Sequence, residues 1–95
     1  MSKLYEVPQE FAARARIRQD DYRRMYAESV NDSAGFWGRM GRRLDWIRPY
    51  TQVRDVSFDA ADFRIRWFHD GQLNVAANCL DRHLATRGDQ AAIIW

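Results

Sequence analysis

The stretch Arg64–Trp95, RIRWFHDGQLNVAANCLDRHLATRGDQAAIIW, reads as a strand, a turn, a helix and a second strand. In Phe63-Arg64-Ile65-Arg66-Trp67 apolar residues alternate with arginines, the period-two pattern of a half-buried strand near 63–68. Asp70-Gly71 marks a turn, since glycine accepts positive φ without steric cost. Asn74 is a good N-cap for a helix over about 74–86 that carries Leu73, Ala77, Leu80 and Leu84 on one apolar face. Arg87-Gly88 closes it with a cation in the last turn and a glycine just beyond. Ala91-Ala92-Ile93-Ile94-Trp95 then reads as a buried strand near 91–95, with its pairing partners expected in further sequence.

Upstream, residues 1–18 read as an extended arm with one helical turn, entered through Pro8 and anchored by Phe11. A helix follows over 19–31. Asp20 and Asp21 complement its dipole at the start, and Tyr22, Met25, Tyr26, Ser29 and Val30 form its apolar side. Arg18 stands where a Ser, Thr or Asn cap is more usual. Asn31-Asp32-Ser33 breaks this helix and caps a second over 33–43, with Phe36, Trp37, Met40 and Leu44 inward. Gly35, Gly38 and Gly41 interrupt that helix, each at a cost of about 1 kcal/mol relative to Ala. It is therefore either frayed or held by packing, with the glycines admitting a close neighbour. Pro49 turns the chain away from helical geometry at Arg48, and residues 51–62 read as a long loop in which Val56 and Phe58 touch one surface.

Ninety-five residues suffice for one small domain but not for a large enzyme. Composition is that of a globular chain, with 46% hydrophobic and 29% charged residues. No apolar run approaches a transmembrane span, the N-terminus lacks a signal-peptide core, and the lone Cys79 cannot form an internal disulfide; these features point to a cytoplasmic protein without a membrane partner. Fourteen of the fifteen basic residues are Arg, but acidic residues are interspersed and the net charge is only +2. That balance makes no case for nucleic acid.

Catalytic, cofactor-binding and metal-binding residues are each expected to be none. His69, His83 and Cys79 lack any zinc-ligand spacing. Asp81-Arg82-His83 are consecutive, so a helix would point them in different directions. Ser29, Ser33 and Ser57 have no nucleophile-elbow context, Cys79 has no identified activating partner, and no glycine-rich loop carries a lysine.

A set of local runs nevertheless has a family likeness. Tyr22…Tyr26-Ala-Glu-Ser29, Phe36-Trp37, Leu44-Asp45-Trp46-Ile47-Arg48-Pro49 and Ser57-Phe58-Asp59 stand in order. Arg66-Trp67-Phe68, Asp70-Gly71, Leu73-Asn74-Val75, Asn78-Cys79-Leu80-Asp81-Arg82-His83-Leu84, Arg87-Gly88-Asp89-Gln90 and Ile93-Ile94-Trp95 continue them. Together they resemble the N-terminal segment of the AMP-forming acetyl-CoA synthetases (acetate–CoA ligases), within the adenylate-forming acyl-CoA synthetase superfamily. The resemblance implies an α/β parent domain of which residues 1–95 are the N-terminal extension and beginning, mainly helical, with short strands. It implies a parent that uses ATP, magnesium and CoA to convert acetate through acetyl-adenylate into acetyl-CoA, AMP and pyrophosphate. It places the phosphate loop, adenine-binding segments and catalytic lysine outside residues 1–95, so these residues alone are expected to be inactive. Their expected partner is the remainder of such a synthetase chain, with self-association through the 91–95 strand as a further contact. The alternative reading is a small Arg- and Trp-rich module that binds nucleic acid or itself.

Overall fold

The computed structural model describes residues 2–95. The chain folds as two compact units, Met1–Phe36 and Trp37–Trp95.

The first unit is helical. Helix α1, Gln9–Arg14, starts at Pro8, whose missing N–H costs nothing at that position. Helix α2, Gln19–Asn31, occupies the range that the sequence predicts. Its unusual cap at Arg18 has a simple resolution. The Asp21 carboxylate accepts from the Arg18 backbone N–H at 3.1 Å and from the Arg24 guanidinium at 3.1 Å. The N3 carboxylate thus supplies one half of a capping box without help from the cap side chain. The same two contacts, the backbone one first, hold the Asp21 carboxyl below its ordinary pKa. The expected apolar side of α2 is not buried. Tyr22, Tyr26 and Val30 are exposed, with the two tyrosine rings stacked 6.1 Å apart.

Helix α3, Ser33–Gly41, begins with Asp32, whose Oδ1 accepts from Gly35 N–H at 3.2 Å. It ends at Gly41, two residues short of the predicted limit. Arg43 and Leu44 N–H groups instead bond the carbonyls of Met40 and Gly41, tightening the last turn to i→i+3 geometry. Phe36 on α3 is the one buried large apolar side chain among the described residues. Trp37 and Leu44, both expected inward, are about 40% exposed.

In the second unit, Gly38 and Gly41 of α3 form a docking face. The Tyr50 hydroxyl donates to the Gly38 carbonyl, and the Trp46 indole N–H donates to the Gly41 carbonyl at 2.8 Å. A Cβ on Gly41 would stand 2.9 Å from the Tyr50 oxygen and 3.0 Å from the Phe68 ring. Trp46, Tyr50 and Phe68 close into a triangle, with centroids 5.0 Å, 5.8 Å and 4.7 Å apart in tilted and edge-on geometries. Each such pair adds about 0.5–1.5 kcal/mol beyond its area burial. Packing, not helix propensity, therefore holds the end of α3.

The predicted loop over 51–62 contains a strand. β1, Arg54–Ser57, pairs antiparallel with β2, Arg64–Trp67, in the register Arg54↔Trp67, Asp55↔Arg66, Val56↔Ile65 and Ser57↔Arg64. The hairpin turn lacks glycine. It is built by Asp59, whose carboxylate accepts from Ala61 N–H at 2.9 Å and whose carbonyl accepts from Asp62 N–H at 3.1 Å. Burial on β2 is opposite to the expectation: Ile65 and Trp67 are exposed, whereas Arg64 is half-buried.

The predicted helix over 74–86 is three pieces. Helix α4 spans Val75–Cys79, a 3₁₀ turn spans Asp81–His83, and helix α5 spans Leu84–Arg87. The Asn74 cap is as predicted, its Oδ1 accepting from Ala77 N–H at 2.9 Å. The break lies at Leu80, at φ −123° and ψ −65°, and it leaves Leu80 and Leu84 exposed. Neither glycine nor proline marks the break. It accompanies the reach of Arg82 to the carbonyl of Arg43.

The predicted strand at 91–95 is absent among the described residues, and Ile93, Ile94 and Trp95 are exposed. An apolar run becomes a strand only where another backbone edge pairs its N–H and C=O groups. No helix of the described residues is long and apolar enough to cross a membrane.

Gly71 has negative φ, so the turn does not require glycine for backbone reasons. It needs the missing side chain: an added Cβ would lie 2.6 Å from the Trp46 ring. Gly71→Ala should destabilise the chain by about 1–3 kcal/mol through overpacking. Gly38→Ala, whose Cβ would meet only the Val53 methyl at 3.2 Å, should cost less or gain up to about 1 kcal/mol of helix propensity. Urea unfolding of the two variants beside the parent chain checks the order.

Candidate functional site

The described residues are organised around polar joints that position backbone segments. The most buried polar side chain is Asn78 on α4, only 6% exposed. Its Oδ1 accepts from Asp45 N–H at 2.8 Å, and its Nδ2 donates to the Asp45 carbonyl at 2.9 Å and the Asn74 carbonyl at 3.0 Å. A side-chain amide here does what a neighbouring strand would do, pairing both polar groups of one residue. Arg82 extends the joint. Its Nη1 donates to the Arg43 carbonyl at 2.9 Å and lies 3.9 Å from the Asp45 carboxylate. The guanidinium thereby closes a carbonyl just past α3, where a cation is electrostatically favoured.

A second joint is built on Asp70. Its carboxylate accepts from the Thr51 hydroxyl, from Thr51 N–H at 2.9 Å and from Gln52 N–H at 3.3 Å. Beside it, Arg48 Nε donates to the Asp70 carbonyl at 3.0 Å, and Arg48 and Gln72 exchange backbone bonds as an isolated antiparallel bridge. These donors, the Thr51 hydroxyl first, favour the charged carboxylate and hold Asp70 at about 2, against an ordinary 3.8.

Residues with chemical potential are scattered among structural tasks. The Ser29 hydroxyl donates to the Tyr26 carbonyl at 2.7 Å, a helical back-bond, and the Ser57 oxygen accepts from Asp59 N–H at 3.3 Å. Cys79 is exposed. It lines an open depression of about 320 Å³ together with His83, Arg87 and Gln90. Arg82 Nε and His83 Nε2 approach to 3.5 Å within the 3₁₀ turn, at the weak limit of a hydrogen bond. No group of three or more His, Cys, Asp or Glu gathers into a metal-holding cluster among the described residues. What the arrangement does chemically is fix backbone.

Comparison with known proteins places this scaffold. A family model described as "Acetyl-coenzyme A synthetase N-terminus" matches residues 22–79, which include most of α2, and α3, the hairpin and α4. The chain belongs to the acetyl-coenzyme A synthetase N-terminus family. It is similar to the acetyl-coenzyme A synthetase of Novosphingobium aromaticivorans, 58% identical over 92 residues, and to that of Shewanella amazonensis, 55% identical over 92 residues. The Xanthobacter autotrophicus acetyl-coenzyme A synthetase is 56% identical over 93 residues. These alignments cover 97–98% of this chain but 14% of each relative's length. The family match contains the Asp70 joint and the Asn78 amide with its partners, while Arg82 lies just outside it.

The sequence does not display these joints, because their partners are far apart along the chain. Asp45 and Asn78 are 33 residues apart, and Thr51 and Asp70 are 19 apart. The one local signal is an asparagine in the middle of a helical pattern, where that residue has poor propensity unless its amide is used.

Asn78→Ala leaves both polar groups of Asp45 without their partner and should cost about 1–3 kcal/mol. Asn78→Asp should cost more, because a carboxylate cannot donate to the Asp45 and Asn74 carbonyls; denaturant midpoints of the two variants test the order. For Asp70, the folded pKa lies below the ordinary value, so its contribution is complete above about pH 4 and is lost as pH falls towards 2. An NMR titration should place the Asp70 carboxyl near 2, and Asp70→Asn should remove that part of the acid-induced loss of stability.

Proposed function

We propose that this chain serves as the N-terminal structural segment of an AMP-forming acetyl-CoA synthetase. In that reaction acetate attacks ATP to give acetyl-adenylate and pyrophosphate, and the CoA thiol then displaces AMP to give acetyl-CoA. The observation that carries this reading is the similarity of more than half identity, over nearly the whole chain, to proteins named acetyl-coenzyme A synthetase. Residues 1–95 would form the extension and the first elements of a larger α/β domain. ATP, magnesium and CoA would be handled by the parent enzyme, and no step is assigned to a side chain of this chain.

The scaffold's chemistry supports a positional role. Its hydrogen-bonded polar groups fasten backbone to backbone, while Tyr22, Tyr26, Phe58, Phe63, Ile65 and Leu80 stand more than half exposed. Exposed apolar area on this scale marks surfaces that meet other polypeptide. The nucleic-acid alternative finds no comparable support, because arginines such as Arg24 and Arg64 are committed to carboxylates at 3.1 Å and 2.8 Å.

The purified 95-residue chain should show no acetate-dependent ATP–pyrophosphate exchange. A chimera in which it replaces the corresponding segment of the Novosphingobium aromaticivorans synthetase should retain that exchange. Turnover by the chain alone, or a well-folded chimera without exchange, would overturn the reading.

A further inference from the structure

The hairpin β1–β2 has two unlike faces. Side chains alternate across a strand, so the register places Asp55, Ser57, Arg64 and Arg66 on one side. That side satisfies itself: Arg64 Nε donates to Asp55 at 2.8 Å, and its Nη1 donates to Asp62. The other side carries Arg54 opposite Trp67 and Val56 opposite Ile65. Phe58 and Phe63 extend it past the strand ends, with ring centroids 5.8 Å apart. Phe58 is 73% exposed, Phe63 64%, Ile65 54% and Trp67 40%.

We infer that this apolar hairpin face is the surface on which the remainder of an acetyl-CoA synthetase chain docks. The inference rests on the reading of the chain as a synthetase N-terminal segment. A two-stranded hairpin is marginal in water by itself and needs a covered hydrophobic face. The face is mostly uncharged, and its cation, Arg54, lies over the Trp67 ring at 5.6 Å. It fits an apolar polypeptide surface. The relatives have chain from which to form one: the hairpin falls inside the family match, and most of each relative's length lies outside the aligned 14%. The ion-paired side is the built-in contrast, requiring no cover.

Hydroxyl-radical footprinting of the Novosphingobium chimera, beside the 95-residue chain, tests the assignment. Oxidation of Phe58, Phe63 and Trp67 should slow by about fivefold or more in the chimera, as for side chains in a desolvated interface core. Ile65→Asp in the chimera should restore much of that reactivity and lower the melting temperature, whereas Arg66→Ala on the opposite face should change neither. If Ile65→Asp does not fold, the footprint of the unsubstituted chimera decides. Equal reactivity in a chimera that exchanges pyrophosphate would overturn the docking face and leave the synthetase reading intact. A folded chimera without exchange would sink that reading and this inference with it. Protection that rises with concentration in the 95-residue chain, alongside a dimer in sedimentation, would assign the face to a second copy instead.

Discussion

The second unit of this chain depends on one side-chain amide. Asn78 stands in for a missing neighbouring strand by giving Asp45 both an acceptor and a donor, and it is nearly fully buried while doing so. No residue of other chemistry reproduces that pairing. A carboxylate accepts only, a hydroxyl is too short to span both groups, and an aliphatic side chain leaves an amide and a carbonyl without partners. Through this bond the segment after α3 is fastened to α4, and Arg82 adds a contact to the Arg43 carbonyl from the following turn. Polar geometry thus carries specificity where the apolar core is small.

That core is assembled by absence of side chains as much as by their presence. Gly41 and Gly71 lack side chains where the rings of Tyr50, Phe68 and Trp46 come closest. The helix-propensity penalty of a glycine, about 1 kcal/mol, is offset by aromatic contacts of similar size that no bulkier residue would permit. The conflict visible in the sequence, glycines inside a helix, is resolved by tertiary contacts that the sequence does not display.

Local rules therefore serve well where structure is local. The α2 limits, the Asn74 cap, the Pro8 start and the β2 strand all follow from nearest-neighbour chemistry. They fail where a partner decides. The 91–95 run has strand composition but no paired edge, β1 is hidden because its turn uses Asp59 rather than glycine, and the helix through Leu80 breaks without a breaker. Apolar periodicity in α2 and β2 gives the element type correctly but not the burial, since Tyr22, Tyr26, Ile65 and Trp67 are exposed. The positional joints are illegible for the same reason, while the family likeness is legible because it resides in residue order, which needs no contacts.

Phe68 is the one described non-glycine residue at positive φ, at 49°. A bulky side chain in that region costs of order 1–3 kcal/mol, and the ring it carries faces Tyr50 and Trp46 at 4.7 Å and 5.8 Å. The backbone there favours glycine and the cluster demands an aromatic, so the two requirements conflict in the genetic alphabet. A glycine there would relieve the backbone and remove the ring, so the residue holds local strain that its ring contacts offset.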